Sequence, residues 1–205
     1  MTMLTDNEIF SKLNSIDRAD PLIVHPLLDK NQIYGARLDL RIDNELFRLK
    51  QGRHNTLDVD AEIVLNTITD RIICPYGKDL VIIPGELLFA YTFEYVKMPK
   101  NMVGRIEARA RLAKLGLIVS SGVIDPGFSD HIFLSLFNAG NFPLAIRPLT
   151  RVVSLSLEKI NSVLQDFQRR PVVRDKLDSD HLVVSVPDYD SEALKTFTNI
   201  SSDSI

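Results

Sequence analysis

The feature that most limits what this chain can fold into is a recurrence of short segments with a period of two. "YGARLDLRI" (34–42), "AEIVLNTI" (61–68), "DLVIIPGELLFAYTFEYV" (79–96), "HIFLSLFNAG" (131–140), "PLAIRPLTRVVSLSLEKI" (143–160) and "HLVVSVPDY" (181–189) are β-branched or alternating. Pro, Gly, Asn and Asp interrupt them, as turns require. The pattern predicts an all-β protein. Two segments break the alternation. In "TDNEIFSKL", Thr5 and Glu8 have capping-box spacing and Ile9 and Leu13 lie four apart, which predicts a short amphipathic N-terminal helix. In "RARLAKLG", Ala and Leu between bases favour a short internal helix, and Gly116 is placed to stop it.

Composition narrows the chemistry. With 205 residues, 45% hydrophobic and 25% charged, the chain suits one globular core with small appendages. A formal charge of −3 supplies no field for a nucleic-acid polymer, while a local basic pocket for a small anion remains open. Cys74 is the single cysteine, so neither a disulfide framework nor a cysteine-based zinc site is expected, and nothing matches the zinc-dependent base deaminases. His25, His54, His131 and His181 lack ligand spacing. No basic-then-apolar leader or membrane-length apolar run is present, which reads as a reducing, cytoplasmic setting without membrane contact. From about Ser162 the chain turns polar: "QRRPVVRDKLDSD" reads as a loop, "HLVVSVPDY" as a last strand and "DSEALKTF" as a short terminal helix. The expected organisation is a domain over 1–161 and an extension over 162–205 packed on it or on a neighbouring subunit.

Three places can carry chemistry. Arg105, Arg109, Arg111 and Lys114 gather near a strand-to-helix junction, either as a phosphate cradle or as a solvated cationic face. In "GVIDPGFSDHIFLSLFNAG" (122–140), Asp125 either caps its own Asp-Pro-Gly turn or holds a water or sugar hydroxyl. Phe128 either packs in the core or lies against a sugar or base.

The order of four segments then carries a resemblance. "LTDNEIFSKL", "YGARLDLRIDNELFRL", "IIPGELLFAYTFEYVKMPKNMVGRIEARARLAKLGL" and "GVIDPGFSDHIFLSLFNAGNFPLAIRPLTRVVSLSLE" together resemble the dCTP deaminase branch of the dUTPase superfamily, from about Leu4 to Ile160. The resemblance implies a distorted β-barrel or jelly roll and a homotrimer with sites at subunit interfaces. It also implies a deoxyribonucleoside triphosphate ligand, with Mg²⁺ held through its phosphates and no zinc.

Where deaminase chemistry belongs, the motifs depart. The family's Gly-Arg-Ser-Ser-Leu-Ala-Arg is here Ala108 to Lys114: Ala110 and Arg111 stand for the serines and Lys114 for the later arginine. Ser135 stands where the family keeps the glutamate that prepares water for attack on cytosine. General acid–base help of that kind is worth about 10²–10⁴-fold. The dUTPase side of the superfamily fits the hairpin better. There the backbone of Gly122, Val123 and Ile124 would read the pyrimidine, Asp125 would orient water at the α-phosphate, and Phe128 would pack on deoxyribose. Ala110 again lacks a phosphate-binding hydroxyl, and Ser154 falls where glutamine is common. Two functions follow from the resemblance. One is a nucleotide-pool enzyme acting on dUTP or dCTP, with Arg109, Arg111 and Lys114 at the phosphates. The other is a catalytically silent member with a binding, regulatory or partner role.

Overall fold

In the computed structural model the described residues are 2–15, 19–50, 56–57, 63–161 and 183–185. The chain divides into two compact units, Met1–Leu49 with Asp70–Gln168, and Lys50–Thr69 with Arg169–Ile205.

In the first unit the alternating segments form an antiparallel sheet. Its strand order is Leu117–Val119, Ser129–Asn138, Leu87–Lys97, Arg37–Leu49, Arg151–Lys159, Met102–Ala108 and Gly122–Ile124. The Arg37–Leu49 strand curls it. Its first half pairs with Arg151–Lys159, from Arg41 opposite Arg151 to Leu38 opposite Leu155, and its second half pairs with Leu87–Lys97. Register irregularities lie at both handovers, between Arg151 and Val153 and between Ile42 and Leu46, and such bulges bend a strand so that it can serve two sheet faces. The result is the all-β architecture that the period-two pattern predicts, of the jelly-roll type that the family resemblance implies.

Alternation decides what the sheet buries. Along Leu87–Lys97 the inward residues are Leu88, Ala90, Thr92, Glu94 and Val96. The aromatic residues Phe89, Tyr91, Phe93 and Tyr95 take the half-buried outer face, where Phe89 stacks on Phe133 at 5.5 Å. Leu38, Leu40, Ile42, Leu134, Leu136, Leu155 and Leu157 complete the core, each worth about 1.5–3 kcal/mol of burial.

Both predicted helices form. Asp6–Leu13 starts on Thr5, whose hydroxyl accepts from Glu8 N while Glu8 Oε2 accepts from Thr5 N at 2.9 Å, and Ile9 is buried. The internal helix is a single turn, Ala110–Ala113.

In the second unit, Ile63–Val64 pairs antiparallel with Val183–Ser185, so a short strand occurs within "HLVVSVPDY". The segment 61–68, expected as a strand, is strand only over Ile63–Val64 among its described residues. It then makes the helical turn Leu65–Ile68, closed by Thr69 Oγ1 donating to Leu65 O at 2.7 Å. The loop expected at 168–180 and the terminal helix expected at 190–197 lie outside the described residues.

Candidate functional site

The strand Met102–Ala108 runs into Arg109, which is extended at φ −69°, ψ 124°, and then into the Ala110–Ala113 turn. Leu112 is buried and anchors the turn, leaving Arg111 and Lys114 exposed. The segment ends at Gly116, at φ +85°. A Cβ there would lie 2.7 Å from Gly140 Cα, so the Leu115-Gly116 and Asn138-Ala139-Gly140 segments are two sides of one backbone contact. Gly116 O accepts from Ala139 N at 2.8 Å and ties the pair together.

The four cations divide. Arg105 Nε bonds Glu158 Oε1 at 2.8 Å. Arg109 turns inward and its Nη1 ion-pairs with Oδ2 of Asp39, a carboxylate with no solvent exposure. Ser154 Oγ donates to Asp39 Oδ1 at 2.7 Å, and Arg151 Nη1 lies 3.7 Å from Asp39 Oδ2. Arg151 Nη2 in turn bonds Asp29 Oδ2 at 2.9 Å.

The hairpin strand Gly122–Ile124 closes one end of the strand order and pairs with Met102–Ala108: Gly122 opposite Ile106, Val123 opposite Arg105, Ile124 opposite Gly104. Among the described residues no strand pairs with its other edge, which keeps its backbone donors and acceptors. Gly104 lets it approach, since a Cβ there would lie 3.1 Å from Ile124 Cβ and 2.8 Å from Leu155 Cδ1.

After Ile124 main-chain bonds close the turn: Phe128 N donates to Asp125 O at 3.1 Å, Gly127 N to Met98 O at 3.1 Å, and Met98 N to Phe128 O at 2.8 Å. The Asp125 side chain is exposed and is not the group that closes the turn. Phe128 is half-buried and packs against the core.

Ser135 is half-buried in the Ser129–Asn138 strand, opposite Phe89. Its N donates to Ser120 Oγ at 3.0 Å and its O accepts from Ser120 N at 2.9 Å. Ser120 precedes Gly122, so Ser135 sits toward the Arg109 end of the hairpin strand's partner.

Within one chain these residues form two groups. Extending the hairpin register puts Asp125 beside Val103, whereas Arg109 follows Ala108 at the other end of the same strand, roughly 20 Å away at ~3.3 Å per residue. Arg109, Arg111, Lys114 and Ser135 share one end, Asp125 and Phe128 the other.

A second buried polar cluster escapes sequence reading. Glu94, fully buried, accepts from Gln32 Nε2 and from Arg41 Nη1 on Oε1, and from Arg41 N on Oε2, each at 2.8 Å, and Arg41 Nη1 also bonds Gln32 Oε1. Burial raises the Glu94 carboxyl above its ordinary range, opposed by its bonds to Arg41. In "RLDLRI" the alternation that carries Arg41 is written as a solvated face would be, so no local signal marks this cluster.

The remaining candidate ligands do not converge. Among the described residues no group of three or more His, Cys, Asp or Glu could hold a metal. His131 Nδ1 donates to Thr92 O at 2.8 Å, His25 is exposed and Cys74 is buried. His54 and His181 lie outside the described residues. Among the described residues no helix is long and apolar enough to cross a membrane.

A family model described as dCTP deaminase-like matches residues 3–160. The dCTP deaminase of Colwellia psychrerythraea is 34% identical over 151 residues, covering 70% of this chain and 76% of that protein. The dUMP-forming dCTP deaminase of Nanoarchaeum equitans is 31% identical over 182 residues, covering 82% and 89%. The crystal structure of 2'-deoxycytidine 5'-triphosphate deaminase from Agrobacterium tumefaciens superposes with a TM-score of 0.59 at 18% identity, over 76% of this chain and 47% of that one. That last similarity is one of fold, and the chain spans about half the length of the solved protein. Since the matched stretch runs from the N-terminal helix through both motif segments to the Arg151–Lys159 strand, the chain belongs to the dCTP deaminase-like family.

Proposed function

We propose that this protein binds a pyrimidine deoxyribonucleoside triphosphate, dCTP or dUTP, and does not deaminate it. The observation that carries the binding half is Asp125: its turn is closed by backbone bonds, so the exposed carboxylate is left for a ligand. The outer edge of Gly122–Ile124 offers backbone groups to a pyrimidine, Phe128 offers a ring face to deoxyribose, and Arg109, Arg111 and Lys114 offer charge to the phosphates. Magnesium would travel with the nucleotide, held by phosphate oxygens and water; the described residues supply no dedicated cluster for it. Because Asp125 and the cationic segment lie at opposite ends of one strand, a complete site needs a second copy of the chain, as in a homotrimer with shared sites.

Deamination lacks its parts. Ala110 has no hydroxyl, and Ser135 offers no carboxylate to take a proton from water. A hydrolytic reading, in which water and dUTP give dUMP and diphosphate, has one specific support, the uncommitted Asp125 carboxylate as water-orienting group.

Incubation of the purified protein with dCTP and dUTP plus Mg²⁺, scoring ammonia, dUMP and diphosphate separately, tests these readings. The expected result is nucleotide-dependent thermal stabilisation without ammonia. Ammonia release at an enzyme-like rate that is lost in Ser135→Ala would overturn the non-deaminating reading. dUMP formation unchanged in Asp125→Asn would remove the water-orienting role.

A further inference from the structure

We infer that Asp39 is a positioning residue for the phosphate-binding segment: it clamps Nη1 of Arg109 against the sheet so that the rest of the guanidinium fork faces the triphosphate. This rests on the nucleotide-binding reading above and adds to it a residue that touches no ligand.

Asp39 has no solvent exposure, yet the Arg109 side chain keeps 28%. Nη1 itself is buried against Asp39, so the exposed remainder of the side chain is where ligand contact can occur. An unclamped arginine gives up much rotamer freedom when it grips phosphate; one already fixed gives up less, and binding tightens accordingly.

The surroundings of Asp39 support more than filling of space. Leu38 opposite Leu155 shows that the adjacent register pair of these strands is apolar, while Asp39 opposite Ser154 is polar and buried. A buried carboxylate in such a place is costly unless fully engaged. Here Ser154 holds Oδ1, and both Arg109 and Arg151 face Oδ2. Arg151 is anchored independently by Asp29 and by the Asn31 carbonyl at 3.3 Å. When phosphate draws on the charge of Arg109, Arg151 still neutralises Asp39, so the buried acid does not repel the incoming anion.

The test is equilibrium titration of dUTP and dUMP against wild type, Asp39→Asn, Arg109→Gln, the double variant and Ser154→Ala. Asp39→Asn and Arg109→Gln should each weaken dUTP by roughly tenfold or more, the scale of a charge-assisted bond, and weaken dUMP far less. In the Arg109→Gln background Asp39→Asn should cost no further dUTP affinity. Ser154→Ala, which only loosens Asp39, should show the same dUTP selectivity with a loss of about threefold. Should Asp39→Asn fail to fold, Ser154→Ala with and without Arg109→Gln makes the same comparison. Equal losses for dUTP and dUMP, additive losses in the double variant, or no loss would each overturn the positioning role while leaving nucleotide binding intact. Absence of any binding by wild type would instead overturn the nucleotide reading and the positioning role with it.

Discussion

Asp39 and Asp125 stand on the same curled sheet, and their carboxylates meet opposite conditions. Asp39 is wholly buried, with Ser154, Arg109 and Arg151 converging on it. Asp125 is exposed on a turn that its own backbone, Gly127, Phe128 and Met98 already close. The difference separates an acid engaged by the fold from an acid left over by it. In the first, charge is tied to neighbours whose removal leaves a desolvated ion; in the second, the side chain contributes little to the folded state and is free for ligand.

Four changes would break or sharpen that contrast. Asp39→Ala strands buried Arg109 Nη1 and should cost about 3–5 kcal/mol in denaturant unfolding, the scale of breaking a buried pair. A loss under ~1 kcal/mol would place Asp39 with ordinary surface acids. Gly104→Ala forces a methyl against Leu155 and Ile124 and should cost about 1–3 kcal/mol by overpacking. It should also weaken nucleotide binding, because Ile124 leads directly into Asp125.

Glu94 supplies a pH test of the buried side of the contrast. Burial raises its carboxyl in the folded state, against the pull of Arg41, so the proton is held more tightly folded than unfolded. Its stabilising contribution is therefore full below the ordinary glutamate range and is lost as pH rises through the raised value. Glu94→Gln should flatten that stretch of the stability–pH curve, read from denaturant midpoints between acid and neutral pH. An unchanged slope would assign the pH dependence to other groups. Smallest of all, Asp125→Asn should shift stability by less than ~0.5 kcal/mol while lowering dUTP affinity or turnover. A loss of stability comparable to that of Asp39→Ala would mean that Asp125 serves the fold.

Much of the fold was legible because period-two alternation and turn residues are local signals. The capping box at Thr5 and Glu8 marks a real boundary, and the Pro-Gly within "DLVIIPGELLFAYTFEYV" falls between the strands Leu80–Ile82 and Leu87–Lys97. The turn Leu65–Ile68 was not, since "IVLNTI" carries β-branched residues that fit a strand as well as a turn of helix. Asp39 was not legible either. In "RLDLRI" the alternation places Asp39 and Arg41 together opposite Leu38, Leu40 and Ile42, as a solvated face would be written, and only long-range pairing reveals that this face is covered too. Nor does alternation show which side of Leu87–Lys97 is the core, where leucine and alanine point inward and the aromatic rings do not. For the candidate site, residue identities in the two motifs were readable, but their placement at opposite ends of one strand depends on the register between Gly122–Ile124 and Met102–Ala108.

Subunit complementation tests the central claim most directly. Asp125→Ala lacks one half of the shared site and Arg111→Ala/Lys114→Ala the other, so each alone should bind dUTP poorly. Co-assembled in equal amounts, they should recover binding at roughly a quarter of the sites, the fraction of head-to-tail contacts that pair two intact halves. No recovery in assemblies verified to be mixed, or full binding by either variant alone, would contradict a nucleotide site built between copies of this chain.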